Sequence, residues 1–204
     1  MSRMISDLEG YFRQFVPSRD SLLLELEAEA RQEGIPIVGP VVGELLYILV
    51  RASGAMQILE LGTATGYSAI YLARGCDELN GRVLTLENDA SMADRARTNF
   101  EKARLAHRIQ VRMGNAMEEI ANMSTPFDFM FMDIDKEDYV TVLPHCGRLL
   151  KSGGLLVADN VGFRGAEGFN RTISGNPQWR TVHLLSLLPL HSPEKDGLCL
   201  ALRA

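Results

Sequence analysis

Paired cysteines are missing from this chain of 204 residues. Cys76, Cys146 and Cys199 are an odd number with no paired spacing, which fits a reducing compartment and neither a disulfide framework nor a zinc site. The four histidines, His107, His145, His183 and His191, have no evident triad partners, and no nucleophile elbow accompanies them. Serine and cysteine nucleophile chemistry is set aside on that ground. No apolar run is long enough to span a bilayer, because Glu44 and Arg51 interrupt the best candidate, 35–52. Asp7 and Glu9 stand where a signal peptide would carry its apolar core, so the cytoplasm is the expected location. A net charge of −5 gives no bulk attraction to nucleic acid or anionic membrane. Internal repeats, low-complexity segments and the three-glycine G-x-G-x-x-G fingerprint are all absent, and without the last an NAD dehydrogenase fits least.

What the chain does contain is organised around 57–68, Gln57-Ile58-Leu59-Glu60-Leu61-Gly62-Thr63-Ala64-Thr65-Gly66-Tyr67-Ser68. A short apolar run, two glycines separated by three residues and an amphipathic continuation predict a buried strand, a tight turn and a helix start. Gly62 and Gly66 let backbone approach a ligand closely, and Ser68 can cap or line the helix entry. Glu60 would repel a pyrophosphate but favours an ammonium or sulfonium, so the loop suits a cationic nucleoside better than NAD. A purely structural strand-to-helix turn is the alternative.

From 57 onward apolar runs alternate with amphipathic ones. Strands are expected at 57–61, 82–87, 109–113, 127–133 and 154–159, with helices at 67–75, 89–105, 115–123 and 138–151. This is the pattern of an α/β fold with a parallel sheet covered on both faces. Runs at 180–188 and 197–203 suggest an antiparallel hairpin at the sheet edge, after an irregular stretch 160–178 expected to shape ligand choice. Residues 1–34, broken near Pro17 and Ser18, and 40–52 read as helices. A single domain over 1–204 is expected, with N-terminal helices to 53 and the core from 54.

Polar residues cluster at the predicted strand ends. Glu87 is placed to accept two ribose hydroxyls, with Asn88 beside it and Asp89 suited to capping the next helix. Asn115 and Ala116 can admit an adenine edge, or Asn115 can cap. Asp133, Asp159 and Asn160 end neighbouring strands as hard oxygen donors suited to Mg²⁺, Ca²⁺ or Mn²⁺, unless they only cap and turn. Lys136 follows three residues after Asp133 and is a candidate base if partly desolvated.

Together, 59–68, Glu87-Asn88-Asp89, Phe127-Asp128 through Tyr139 and Gly153-Gly154 through Asn160 resemble the cation-dependent O-methyltransferases of the catechol and caffeoyl-CoA type. That resemblance implies a Rossmann-like class I methyltransferase fold, a seven-stranded, mostly parallel sheet with an antiparallel last strand. It implies S-adenosylmethionine held by Glu60, Gly62, Thr63, Gly66, Tyr67, Ser68, Glu87, Asn88, Asn115, Ala116 and Asp133. It further implies a divalent cation on Asp133, Asp159 and Asn160, with Lys136 and Asp133 as the catalytic pair. A vicinal-hydroxyl aromatic acceptor and a homodimer follow from the same likeness. Leu190-His191-Ser192-Pro193-Glu194-Lys195 departs from the family pattern near the expected acceptor pocket. The alternatives are a tRNA acceptor, met by Arg164, Arg171 and Arg180, and an inactive cofactor-binding dimer module.

Overall fold

The computed structural model describes residues 3–204, so Met1 and Ser2 of the expected N-terminal helix lie outside the described residues. Seven strands form one sheet in the order β3-β2-β1-β4-β5-β7-β6. They are β1 (Gln57–Leu61), β2 (Arg82–Glu87), β3 (Ile109–Met113), β4 (Phe127–Met132), β5 (Leu150–Ala158), β6 (Trp179–Leu187) and β7 (Lys195–Arg203). Only β7 runs against the others, pairing antiparallel with both β5 and β6. The closing hairpin is thus present, with β6 on the edge and the last strand slotted between it and β5.

Alternation along the strands feeds two cores. Ile58, Phe129 and Phe131 face one helical layer, and Leu59, Leu61, Met130 and Met132 face the other. Strands with both faces covered have little reason to carry polar residues inside, so near-continuous apolar runs are the expected sequence. The first core is shared with α2 (Ser21–Glu33), α3 (Gly39–Ser53), α4 (Tyr67–Cys76) and α5 (Ala90–Lys102). The second packs under α6 (Ala116–Asn122), α7 (Tyr139–Leu149) and α8 (Glu167–Gly175).

Local chemistry sets the boundaries. The expected break near Pro17 and Ser18 falls between two helices, α1 (Leu8–Arg13) and α2, and Asp7 and Asp20 each accept a backbone N–H three residues on and so start a fresh helix. Asp89 and Asn115 cap α5 and α6 as their positions allow. β5 begins at Leu150, earlier than expected, through an irregular register opposite Phe127 and Phe129. The stretch 160–178 is not irregular: it carries α8, whose Phe169 and Ile173 insert into the second core. Gly and Asn interruptions hide that short helix from a periodicity search.

The strand ends that matter are pinned together. The Tyr139 hydroxyl, fully buried, lies 3.1 Å from the Met132 carbonyl and 3.0 Å from that of Asp159, donating between the ends of β4 and β5. Tyr139→Phe leaves both carbonyls without that donor and is expected to cost about 1–2 kcal/mol. A lowered denaturation midpoint with unchanged slope in urea would register it.

Candidate active site at the carboxyl edge of the sheet

All the polar strand-end residues meet at one edge, as expected for ligands in an open α/β sheet. A cleft of about 350 Å³ opens there, lined by Gly62, Thr63, Tyr67, Ser68, Glu87, Asn88, Asn115, Ala116, Asp133, Lys136, Asp159, Asn160 and His191, among others. Glu60 lies beneath it, fully buried. Gly66 turns the loop with φ 85° and backs onto Phe100, behind the lining.

Sequence and register explain the close approach of the two walls. Leu61 pairs with Met132, and the Asp133 N–H donates to the Leu61 carbonyl at 2.9 Å. Gly62 has φ 96°, and a Cβ there would lie 2.1 Å from the Asp133 carbonyl oxygen. Only glycine lets this turn form against β4.

On the nucleoside side, Glu87 collects four backbone N–H groups. Oε2 accepts from Thr63 and Ala64 at 3.2 and 2.7 Å, and Oε1 accepts from Asn88 and Asp89 at 2.9 Å each. The carboxylate therefore ties the first turn to the second while lining the cleft. Asn99 donates to the Thr65 carbonyl at 2.9 Å and fixes the same turn from α5.

Glu60 faces Thr85 across the β1–β2 register, and the Thr85 hydroxyl donates to its Oε2 at 2.6 Å. Oε1 has no hydrogen-bond partner. Burial pushes this carboxyl up to about 8, against the opposing pull of the Ser68 and Thr85 hydroxyls; Ser68 stands beside it without closing a formed bond to Oε1. A buried, half-satisfied acid below a bare glycine turn fits a ligand that brings positive charge, as a sulfonium nucleoside does.

On the other wall Asp133 and Asp159 are close enough to repel. Partial burial first, then the Asp159 charge, hold the Asp133 carboxyl above its usual range. Lys136 answers it, donating to Asp133 Oδ1 at 2.8 Å and to the Ile134 carbonyl at 2.9 Å. Asp159 is answered by His191, whose Nε2 stands 3.0 and 2.9 Å from its two oxygens. Asn160 donates its amide N–H to Asp196 Oδ2 at 2.7 Å, and Asp196 in turn accepts the Gly162 and Gly197 N–H groups.

No triad partner was expected for the histidines; His191 nonetheless meets a carboxylate, Asp159, and Asp196 and Pro36–Val38 join the site as well. Of 160–178, Asn160 lines this cleft, and residues from 36–38 and 190–192 border this cleft or the adjoining one. The adjoining cavity, about 520 Å³, shares Pro36, Ile37, His191 and Ser192 with the cleft and reaches Glu27, Arg31 and Glu194. Among the described residues no three His, Cys, Asp or Glu side chains form a cation cage, and no helix is long and apolar enough to cross a membrane.

Fold and cleft together define a Rossmann-like α/β enzyme with a nucleoside-sized site at the carboxyl edge of its sheet. Residues 18–176 match the model of a family described as O-methyltransferase. A catechol O-methyltransferase of Niastella koreensis is 34% identical over 97% of this chain and 94% of its own length. One from Mycobacterium tuberculosis is 40% identical over 58% of this chain and 54% of its own length. The structure of an O-methyltransferase from Bacillus cereus in complex with SAH superposes with a TM-score of 0.85 at 31% identity, covering 97% of both chains. An O-methyltransferase from Streptomyces achromogenes, solved with SAM, gives 0.85 at 27% identity over 97% of this chain and 96% of its own. This chain belongs to the O-methyltransferase family, and it is an enzyme of the S-adenosylmethionine-dependent O-methyltransferase type.

The Glu60 carboxyl gives a stability signature. Its folded value of about 8 lies above the ordinary 4.5, so protonation favours the fold. That contribution is whole below about 4.5 and is lost as pH rises through 8. Glu60→Gln is therefore expected to melt increasingly above the unliganded wild type as pH goes from 5 to 9, in paired thermal scans. A difference that stays flat with pH would contradict a buried, unsatisfied carboxylate.

Proposed function

We propose that this chain moves the methyl group of S-adenosylmethionine to one hydroxyl of a small catechol-like aromatic. The carrying observation is the cleft itself, which runs unbroken from the Gly62–Ser68 turn and Glu87 to the charged wall of Asp133, Lys136, Asp159 and His191. The catechol O-methyltransferases among its relatives support the acceptor class.

When bound, S-adenosylmethionine supplies an electrophilic methyl group on a positive sulfur. Glu87 with Asn88 would hold the ribose end, Asn115 and Ala116 the adenine edge, and Thr63, Tyr67 and Ser68 the amino-acid end. Holding both reactants against one rigid edge converts a bimolecular encounter into an oriented one. Asp133, its carboxyl held above the usual range by burial and by Asp159, accepts the proton of the attacking hydroxyl. Lys136, which donates to Asp133 Oδ1 and to the Ile134 carbonyl, would stand beside the developing phenolate charge. The second cavity, bounded by Ile37, Leu190 and Ser192, would receive the rest of the acceptor.

A divalent cation would take Asp133, Asp159 and Asn160 and would polarise both acceptor oxygens. Lys136 meets Asp133 Oδ1 and His191 meets both Asp159 oxygens, while Asn160 faces Asp196 with its N–H and so keeps its side-chain oxygen as the donor such an ion would use. No step is assigned to a metal.

The helices of 21–53 share a core with the sheet, which supports one folding unit across the chain. On α1 no residue is buried, and Tyr11 and Phe12, with Phe15 just beyond the helix, are exposed, an apolar patch that supports the homodimer reading. The tRNA alternative draws less support, since Arg171 is tied to Glu167 at 2.6 Å.

Methyl transfer to a panel of catechols and monohydroxyl phenols tests the acceptor class. Turnover is expected with vicinal diols and not with single phenols; turnover only with bulk tRNA would overturn it. Lys136→Ala is expected to lower kcat by roughly 10²-fold or more while leaving cofactor affinity within about twofold. Unchanged kcat in that variant would remove Lys136 from the chemistry.

A further inference from the structure

We propose that Asp196 is a positioning residue, which holds the Asn160 amide by its N–H and so turns the side-chain oxygen to the cleft as a donor for a hard divalent cation. This role builds on the methyl-transfer reading above for the expectation of that cation, and on hydrogen-bond geometry for the rest.

An amide has one end that donates and one that accepts, and its neighbours decide which way it faces. The Asn160 side-chain nitrogen lies 2.7 Å from Asp196 Oδ2 and 3.3 Å from the Ser192 carbonyl oxygen. A backbone carbonyl has only lone pairs to offer, so the NH₂ end must face this pair. The oxygen of a planar amide then points away from both. Asn160 lines the cleft, and among the described residues neither its Oδ1 nor Asp133 Oδ2 has a hydrogen-bond partner. Carboxylate and amide oxygens together are the hard donors that such an ion takes.

Asp196 is itself fixed in place. It is 3% exposed and lies at the start of β7, where that strand passes the end of β5. Ala158 pairs antiparallel with Cys199, which brings Asp196 opposite the chain that leaves β5 through Asn160. Its Oδ1 accepts the Gly162 N–H at 3.1 Å and the Gly197 N–H at 2.6 Å. The Val161 N–H closes the same corner, donating to the Gly197 carbonyl at 2.9 Å. Gly162 makes room for the carboxylate, since a Cβ there would lie 2.5 Å from Asp196 Oδ1. Asn160 turns with φ 49°, a left-handed conformation that Asn adopts more readily than most residues. With Oδ1 held by two backbone donors, Oδ2 is left to the Asn160 amide.

An asparagine at 196 reverses the arrangement. Its oxygen would stay on the two backbone N–H groups, and its NH₂ would confront the NH₂ of Asn160. Flipping the Asn160 amide relieves that clash, but it withdraws the oxygen from the cleft and presents a donor instead. A carboxylate that only fastened the Gly162–Gly197 corner would exert no such effect through Asn160.

Mn²⁺ titration of the full chain by electron paramagnetic resonance measures this without acceptor or turnover. Its failure is thus separable from failure of the methyl-transfer reading. Wild type is expected to bind at about 1 mM or tighter, within the weaker range of protein cation sites. Asp196→Asn is expected to weaken binding roughly tenfold or more, as loss of a group that orients a ligand does. Asn160→Gly removes the oxygen, tolerates the left-handed backbone and sets the other side of a double-mutant cycle. In that background Asp196→Asn is expected to change affinity by less than about threefold, because its effect runs through Asn160. Asp196→Ala, run through the same cycle, measures the same coupling should Asp196→Asn fail to fold. Wild type without saturable Mn²⁺ binding would overturn the proposal. So would a folded Asp196→Asn protein that binds as wild type does, or a loss of equal size with and without the Asn160 side chain.

Discussion

The site depends on how closely β1 and β4 end against each other. Met132 sits in register with Leu61, the next residue on one side is Gly62, and the next on the other is Asp133. Because Gly62 presents no side chain to the Asp133 carbonyl, the turn that faces a nucleoside and the acid that faces the chemistry share one wall. A larger residue would push the two loops apart and open the cleft between them. The arrangement is backbone geometry first and side-chain chemistry second.

That geometry concentrates acids where water is scarce. Glu60, Asp133 and Asp159 come within one small region, and each is handled differently. Glu60 is held near neutrality by burial, Asp133 by a lysine three residues away, and Asp159 by a histidine from the β6–β7 loop. Buried charge is tolerated only when paired or neutralised. Oε1 of Glu60 is left without a partner, and it lies beneath the turn that faces the cleft.

Much of this was legible from the chain alone. Gly62 and Gly66 with Glu60 marked the turn, and strand ends placed Glu87, Asp133 and Asp159 on one edge because parallel strands all finish on the same side. Caps at Asp89 and Asn115 formed as their local hydrogen bonding allows. What escaped notice depends on long-range contact. His191 meets Asp159 across 32 residues, through a loop whose shape is set by Glu194, Arg13 and Gly39, and none of those contacts has a periodic signature. The departure at 190–195 was visible as an anomaly, but its meaning needed the fold. Helix α8 was missed for a related reason: its apolar anchors, Phe169 and Ile173, are only two, and tertiary packing rather than propensity stabilises it.

The central claim is that one cleft, between the Gly62–Ser68 turn and the Asp133–Lys136 wall, receives the S-adenosyl ligand. A crystal structure with S-adenosylhomocysteine tests it most directly. The expected result places the ribose hydroxyls at Glu87, the adenine edge by Ala116, and the sulfur facing Asp133 and Lys136. Ligand bound elsewhere, or reversed so that adenine meets Lys136, would contradict it.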